Sequence, residues 1–210
     1  MTIKIKEENF VLHHYGVVFW EEKKMILIAD VHFGKIGHFR KHGIAIPNKA
    51  FLENFNKLNE ILNFFEPEKI VFLGDLFHSK INIEWNFFQT WIQTLSQEVI
   101  LIQGNHDIID HQKFEDLGIK IQDELSEDGF VFSHYPLENP VLFNFCGHIH
   151  PSVQLKGFGK QFLKLPCFFQ KPNQMILPAF GEFTGTYTLF PTKKDKIFAI
   201  TKEKVVEVKF

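Results

Sequence analysis

Asp30-Val31-His32, Gly74-Asp75, Gly104-Asn105-His106-Asp107, Ser133-His134 and Gly147-His148-Ile149-His150 are the segments whose residue types and spacing could do chemistry. Together they offer carboxylates, imidazoles and a carboxamide, with no thiolate. Such oxygen and nitrogen donors suit manganese, iron or zinc in a reactive site better than a sulfur-rich structural zinc. Two divalent ions roughly 3.5–4 Å apart clamp the attacking and leaving oxygens of a phosphoryl group. A pair of that kind needs an anionic oxygen bridge with neutral ligands around it, and Asp75 is the natural bridge. In Asp30-x-His32 and His148-x-His150, alternate residues of an extended segment lie on one side and can reach a common point. Any one motif is weak, because a lone histidine is more simply a hydrogen-bonded core or surface residue. Five in order make coincidence a poor explanation.

Each motif follows an apolar run that reads as a buried strand: residues 25–29, 70–73, 99–102, 130–132 and 143–146. In open α/β sheets, ligands bind in the crevice beyond the carboxyl ends of the strands. If these strands are parallel or share that edge, their motifs converge there. Residues 16–20 and 25–29 read as a hairpin around a charged turn. Apolar residues at three- and four-residue steps from Ala50 to Phe65 predict a helix, capped by Asn48 and ended before Pro67. Residues 86–95 and 108–117 read as further helices, and 119–121 as a strand. After Pro151 the texture turns to strands, near 161–168, 174–177, 186–190, 196–201 and 204–209. The whole implies an α/β fold of two packed mixed β-sheets with helices outside, as a single domain over residues 1–210.

The chain has 210 residues and a net charge of −2, so no global basic field draws it onto nucleic acid, and any such contact must be a local patch. Twenty-six phenylalanines read as a Phe-rich core; Trp85, Phe87, Phe88 and Trp91, at helical spacing, read as core rather than as a stacking platform. Cys146 and Cys167 form no spaced framework, which fits a reducing compartment. The start of the chain is too charged for a signal peptide and no apolar run is long enough to span a bilayer, so a cytoplasmic protein without a membrane partner is expected. Ser133 has no base and acid partners that would make it a nucleophile.

The five motifs resemble the signature of the calcineurin-like metallophosphoesterases. The resemblance implies a four-layer αββα sandwich and two divalent ions. Asp30, His32, Asp75 and His150 would hold one ion; Asp75, Asn105, His134 and His148 would hold the other. His106 would protonate the leaving oxygen after attack by a metal-bridged hydroxide, with Asp107 orienting its ring. Finer segments, Ala29 to Lys35, His38 to Pro47, Gly74 to Ser79 and Leu177 to Gly185, are similar to the DNA ligase-associated branch. That branch implies a manganese-dependent phosphodiesterase or endonuclease acting on DNA, with iron or zinc as other fits to the donors. It also implies functional association with a DNA ligase, a helicase and an exonuclease in repair.

Lys35, His38 and Arg40, the sole arginine, follow the first ligand pair and are candidates to grip a phosphate backbone; Lys41 and His42 fit a solvated helix face equally well. His78, three residues past Asp75, is a further candidate for substrate contact, with packing of its loop the alternative. A small-molecule phosphomonoesterase or cyclic-nucleotide phosphodiesterase is the competing function, motivated by the acidic net charge. A non-catalytic protein-binding scaffold would be expected to have lost ligands, and none is missing.

Overall fold

A computed structural model describes residues 1–35, 50–78, 80–157, 159, 161–182 and 184–209. Four antiparallel strands open the chain: β1 (Thr2–Ile5), β2 (Glu8–Leu12), β3 (Val18–Trp20) and β4 (Met25–Ile28). A 3-10 turn at Glu21–Lys23 closes the last hairpin, and Lys24 ends it in the left-handed region. Helix α1 (Ala50–Phe65) leads to β5 (Lys69–Leu73), α2 (Ile83–Ile92) to β6 (Glu98–Ile102), and α3 (His111–Glu115) to β7 (Lys120–Gln122). These crossovers make β4 to β7 parallel, and the seven strands form one sheet in sequence order. The central strands β4 and β5 are apolar on both faces because both faces are covered.

The second sheet begins with β8 (Glu124–Glu127), β9 (Phe130–Ser133) and β10 (Phe143–Cys146). It continues with β11 (Pro151–Lys156), β12 (Phe162–Lys171), β13 (Gln174–Ile176), β14 (Tyr187–Thr188), β15 (Lys196–Ile200) and β16 (Val205–Val208). Its order is β14-β11-β12-β13-β10-β9-β8, with β15 paired to β12 and β16 to β15. Strands β9, β10 and β13 run parallel, the rest mostly antiparallel.

The two mixed sheets pack face to face as expected. Between them Leu27, Val71 and Ile100 of the first sheet meet Phe130, Phe145 and Phe168 of the second. The opposite face of the first sheet, with Ile26, Ile70 and Phe72, carries Leu58 of α1, Phe88 of α2 and Phe114 of α3. All three described helices lie on that face. The outer face of the second sheet holds a smaller cluster around Cys167, Phe169 and Ile197, with no described helix in it. Both cysteines are free and buried there.

The helix expected over 86–95 starts earlier, because Asn82 caps it by accepting from Glu84 N at 2.8 Å. The expected Asn48 cap lies outside the described residues. No described helix is long and apolar enough to cross a membrane.

Candidate metal centre

The parallel arrangement sends the carboxyl ends of β4, β5, β6, β9 and β10 to one edge of the sandwich. Beyond that edge the loops keep pairing. Asp30 N donates to Gly74 O at 3.3 Å, His32 N to Asp75 O at 2.9 Å, Phe33 N to Leu76 O at 2.9 Å and Gly147 N to His134 O at 3.0 Å. Gly181 N donates to Asp30 O at 3.1 Å, tying in the late Pro178-Ala179-Phe180-Gly181 segment. Backbone pairing therefore fixes each donor before its side chain is considered.

Asp30, His32, Asp75, His148 and His150 all have positive φ, between 51° and 68°. Left-handed backbone at a residue with a Cβ costs roughly 1–2 kcal/mol, and such strain concentrates at functional sites. The simple alternation of an extended strand expected for Asp30-x-His32 and His148-x-His150 is thus replaced by left-handed turns. Glycines make the loops fit. A Cβ at Gly74 would stand 2.2 Å from His134 Nδ1, one at Gly104 would stand 2.3 Å from Asp75 Oδ1, and one at Gly147 would stand 2.6 Å from Asp30 Oδ2.

Two groups of donors result, Asp30 with His32 and His150, and Asp75 with His134 and His148, each within 4.8 Å internally. Asp75 faces both: Oδ2 lies 3.8 Å from His32 Nε2, and Oδ1 lies 3.6 Å from His134 Nε2. Asn105 Oδ1 is 3.0 Å from His134 Nε2, which brings the carboxamide to the second group.

Proton placement tests whether a cation fits. His134 Nδ1 lies 2.9 Å from Leu73 O, and a carbonyl only accepts, so Nδ1 carries the proton. Nε2 then presents a lone pair toward Asn105 Oδ1 and toward His148 Nδ1, 3.1 Å away. In the first group, His150 Nδ1 reaches Gly185 O at 3.1 Å, and Nε2 faces His32 Nε2 and Asp30 Oδ1, each at 3.4 Å. Asp30 Oδ1 and His32 Nδ1 are buried without a hydrogen-bond partner. Carboxylate oxygens and imidazole nitrogens converging this way, with the His134 and His150 rings oriented by carbonyls behind them, are what a divalent ion requires. The residues fit the group.

Burial pushes the His32 imidazole down to about 2, with Lys35 and His150 adding to it, and burial then His134 lower His148. Burial acts downward on His150 too, but the Asp30 carboxylate overrides it and the net shift is up. That proton is the one a cation would displace.

Residues 23–180 match the Metallophos family, calcineurin-like phosphoesterase. The chain belongs to that family. No curated protein matches it. The crystal structure of Pseudomonas putida nuclease MPE superposes with a TM-score of 0.81 at 26% identity, covering 99% of each chain. Yfce, a phosphoesterase from E. coli, gives a TM-score of 0.45 at 12% identity, over 88% of this chain and 97% of that one.

In this calcineurin-like phosphoesterase, His106 sits beside the two donor groups, its ring 5.6 Å from that of His32 and 4.5 Å from that of His78. Its backbone N donates to Asp75 Oδ1 at 2.8 Å. The expected pairing of His106 with Asp107 is not formed. Asp107 is buried and accepts from Phe77 N at 3.1 Å and Gly104 N at 2.9 Å, so it ties the second and third motif loops together. Sequence adjacency suggested the pair, but successive side chains diverge in this turn and the buried carboxylate takes the nearer amides. Burial raises its pKa against those two bonds.

His78 packs its ring 5.1 Å from that of His32. Lys35 is half-buried beside His32, Asn54 and Glu84; burial lowers its pKa while Asp75 and Asp30 oppose the shift. His38, Arg40, Lys41 and His42 lie outside the described residues. Sequence reasoning passed over Glu84, which is buried and accepts from Gly34 N at 2.7 Å, steadying the loop behind His32. It also passed over Tyr135, whose ring touches His134 and His148, although its place directly after a ligand candidate was a usable signal.

Proposed function

We propose that this phosphoesterase is a manganese-dependent phosphodiesterase or endonuclease that cleaves DNA. The observation that carries the reading is the pair of donor groups on either side of Asp75, in a chain aligned over 99% of its length with a nuclease. Asp30, His32, Asp75 and His150 would hold one divalent ion, and Asp75, Asn105, His134 and His148 the other. When bound, such ions supply charge neutralisation at the phosphoryl group and make a water acidic enough to attack it.

The chain's own residues do the rest. Leu73 O and Gly185 O hold the imidazoles of His134 and His150 in one orientation. The amide of His106 fixes Asp75 Oδ1. The His106 ring is proposed to give its proton to the leaving oxygen, and Asp107 to keep the loop of His106 in register with that of Phe77. Lys35, with His78, is proposed to contact the phosphate, and His38 and Arg40 to extend that contact along the backbone. Work in the cytoplasm beside a DNA ligase, a helicase and an exonuclease belongs to the same proposal and is supported by the motif resemblance alone.

Purified protein with Mn²⁺ and single-stranded or nicked DNA tests the reading. Cleavage by wild type and its loss in Asn105→Ala are expected. No cleavage by wild type, or equal cleavage by the variant, contradicts it. Preference for bis-nitrophenyl phosphate over nitrophenyl phosphate is expected; the reverse favours a phosphomonoesterase.

A further inference from the structure

Tyr135 belongs to neither donor group, yet its ring centroid lies 4.8 Å from that of His134 and 4.5 Å from that of His148. Neither imidazole stacks flat on it, the interplanar angles being 73° and 56°. The residue is 48% exposed, so a large aromatic surface stands open beside the second donor group. Its hydroxyl makes no hydrogen bond to the described residues.

The backbone under this ring is unusually well held. Ser133 Oγ donates to Tyr135 O at 2.7 Å, and Asn144 Nδ2 donates to Ser133 Oγ at 2.8 Å. Gln174 Nε2 donates to Asn144 Oδ1 at 2.8 Å, and the same Oδ1 accepts from Leu137 N at 3.2 Å. Ser133, Asn144 and Gln174 are all buried. A fully satisfied polar network in a core specifies one geometry, at high cost if any member is lost. This one joins β9, β10 and β13 and has two outputs at the centre: the position of His134 and the position of Tyr135.

We infer that Tyr135 is a substrate-recognition residue that stacks the nucleobase flanking the scissile phosphate. The inference rests on the phosphodiesterase reading above and narrows it to nucleotide esters. Bordering His134 and His148, the Tyr135 ring is placed to meet an ester arm of a phosphoryl group held at the second donor group. Base–aromatic stacking tolerates any base, since every base has a π-face, and it needs no global basic field, which a net charge of −2 does not supply. A preorganised ring also loses little conformational freedom on binding.

Three diesters sharing one leaving group test it: the 4-nitrophenyl esters of thymidine 5′-phosphate and thymidine 3′-phosphate, and methyl 4-nitrophenyl phosphate, which has no base. Tyr135→Leu is expected to lower kcat/KM for at least one thymidine ester by about tenfold, mainly through KM. The methyl ester rate and the bound metal per chain are expected to stay unchanged, and Tyr135→Phe to keep the wild-type preference. Equal losses on the thymidine and methyl esters would reduce Tyr135 to a support for His134 and His148. No loss on any ester would remove it from the substrate path. Wild type hydrolysing none of the three would defeat the phosphodiesterase reading itself and the inference with it, an outcome distinct from both others.

Discussion

At the scale of single residues, two imidazoles at the centre are set by what the far nitrogen touches: Leu73 O for His134 and Gly185 O for His150. His106 differs, since it lies beside the donors with its ring among His32 and His78 rather than among carboxylates. If it serves as the acid, His106→Gln should slow alkyl phosphodiesters by roughly 10²–10⁴-fold and spare nitrophenyl esters, whose leaving group needs no proton. Metal content should be unchanged; equal losses on both ester types would argue for a structural role. Strain offers a second check. His148 has φ of 68°, so His148→Gly should be more stable than His148→Ala by about 1 kcal/mol in metal-free protein, read by thermal unfolding. Equal stabilities would mean the left-handed turn is not strained.

The elements explain why the donors meet. Parallel β4, β5 and β6 and parallel β9 and β10 end at one edge, and glycines let the loops close over one another. Gly104→Ala would put a Cβ 2.2 Å from Asp75 N and 2.3 Å from Asp75 Oδ1. A displacement near 1 Å at a reacting centre costs about 10²-fold in rate, so activity and metal occupancy should both fall while circular dichroism holds. Gly118→Ala is the control: it is strained by its φ of 79° but meets nothing within 4 Å, so it should lower stability and leave activity intact. An active Gly104→Ala variant would show that the Asp75 loop is looser than described. The strands that carry the motifs were readable because they are continuous apolar runs, as in Met25–Ile28 and Lys69–Leu73. The hairpin of Thr2–Ile5 with Glu8–Leu12 was not, because charges interrupt its apolar positions, and Glu124–Glu127 was hidden by its own acids. The left-handed turns at the donors were invisible too, since at Asp30, His32 and Asp75 no glycine marks the position and long-range backbone bonds between the loops accompany them. Asp107 misled because neighbours in sequence need not be partners in space.

At the scale of the molecule, the core of the two-sheet sandwich is rich in phenylalanine, with Phe72, Phe88, Phe130, Phe145 and Phe168 fully enclosed. The two donor groups sit at the edge of that core, where rigid packing from both sheets can hold side chains from distant parts of the chain. His13 lies outside both donor groups, in contact with His14, Tyr15, Phe64 and Phe65. Burial lowers the His13 pKa from 6.5 to about 4, helped by His14 and the N-terminal ammonium and opposed by Glu60. The unfolded chain takes up that proton near 6.5 and the folded one only near 4, so stability present above pH 6.5 is lost as pH falls toward 4. His13→Gln should flatten that part of the stability profile in urea unfolding; an unchanged slope would place the acid sensitivity elsewhere. Crystals grown with manganese and read by anomalous scattering would show whether Asp75 stands between two cations. Two peaks are predicted, one touching Asp30, His32 and His150, the other His134 and His148, with Asp75 in contact with both. A single peak, or two on one side of Asp75, would contradict the account.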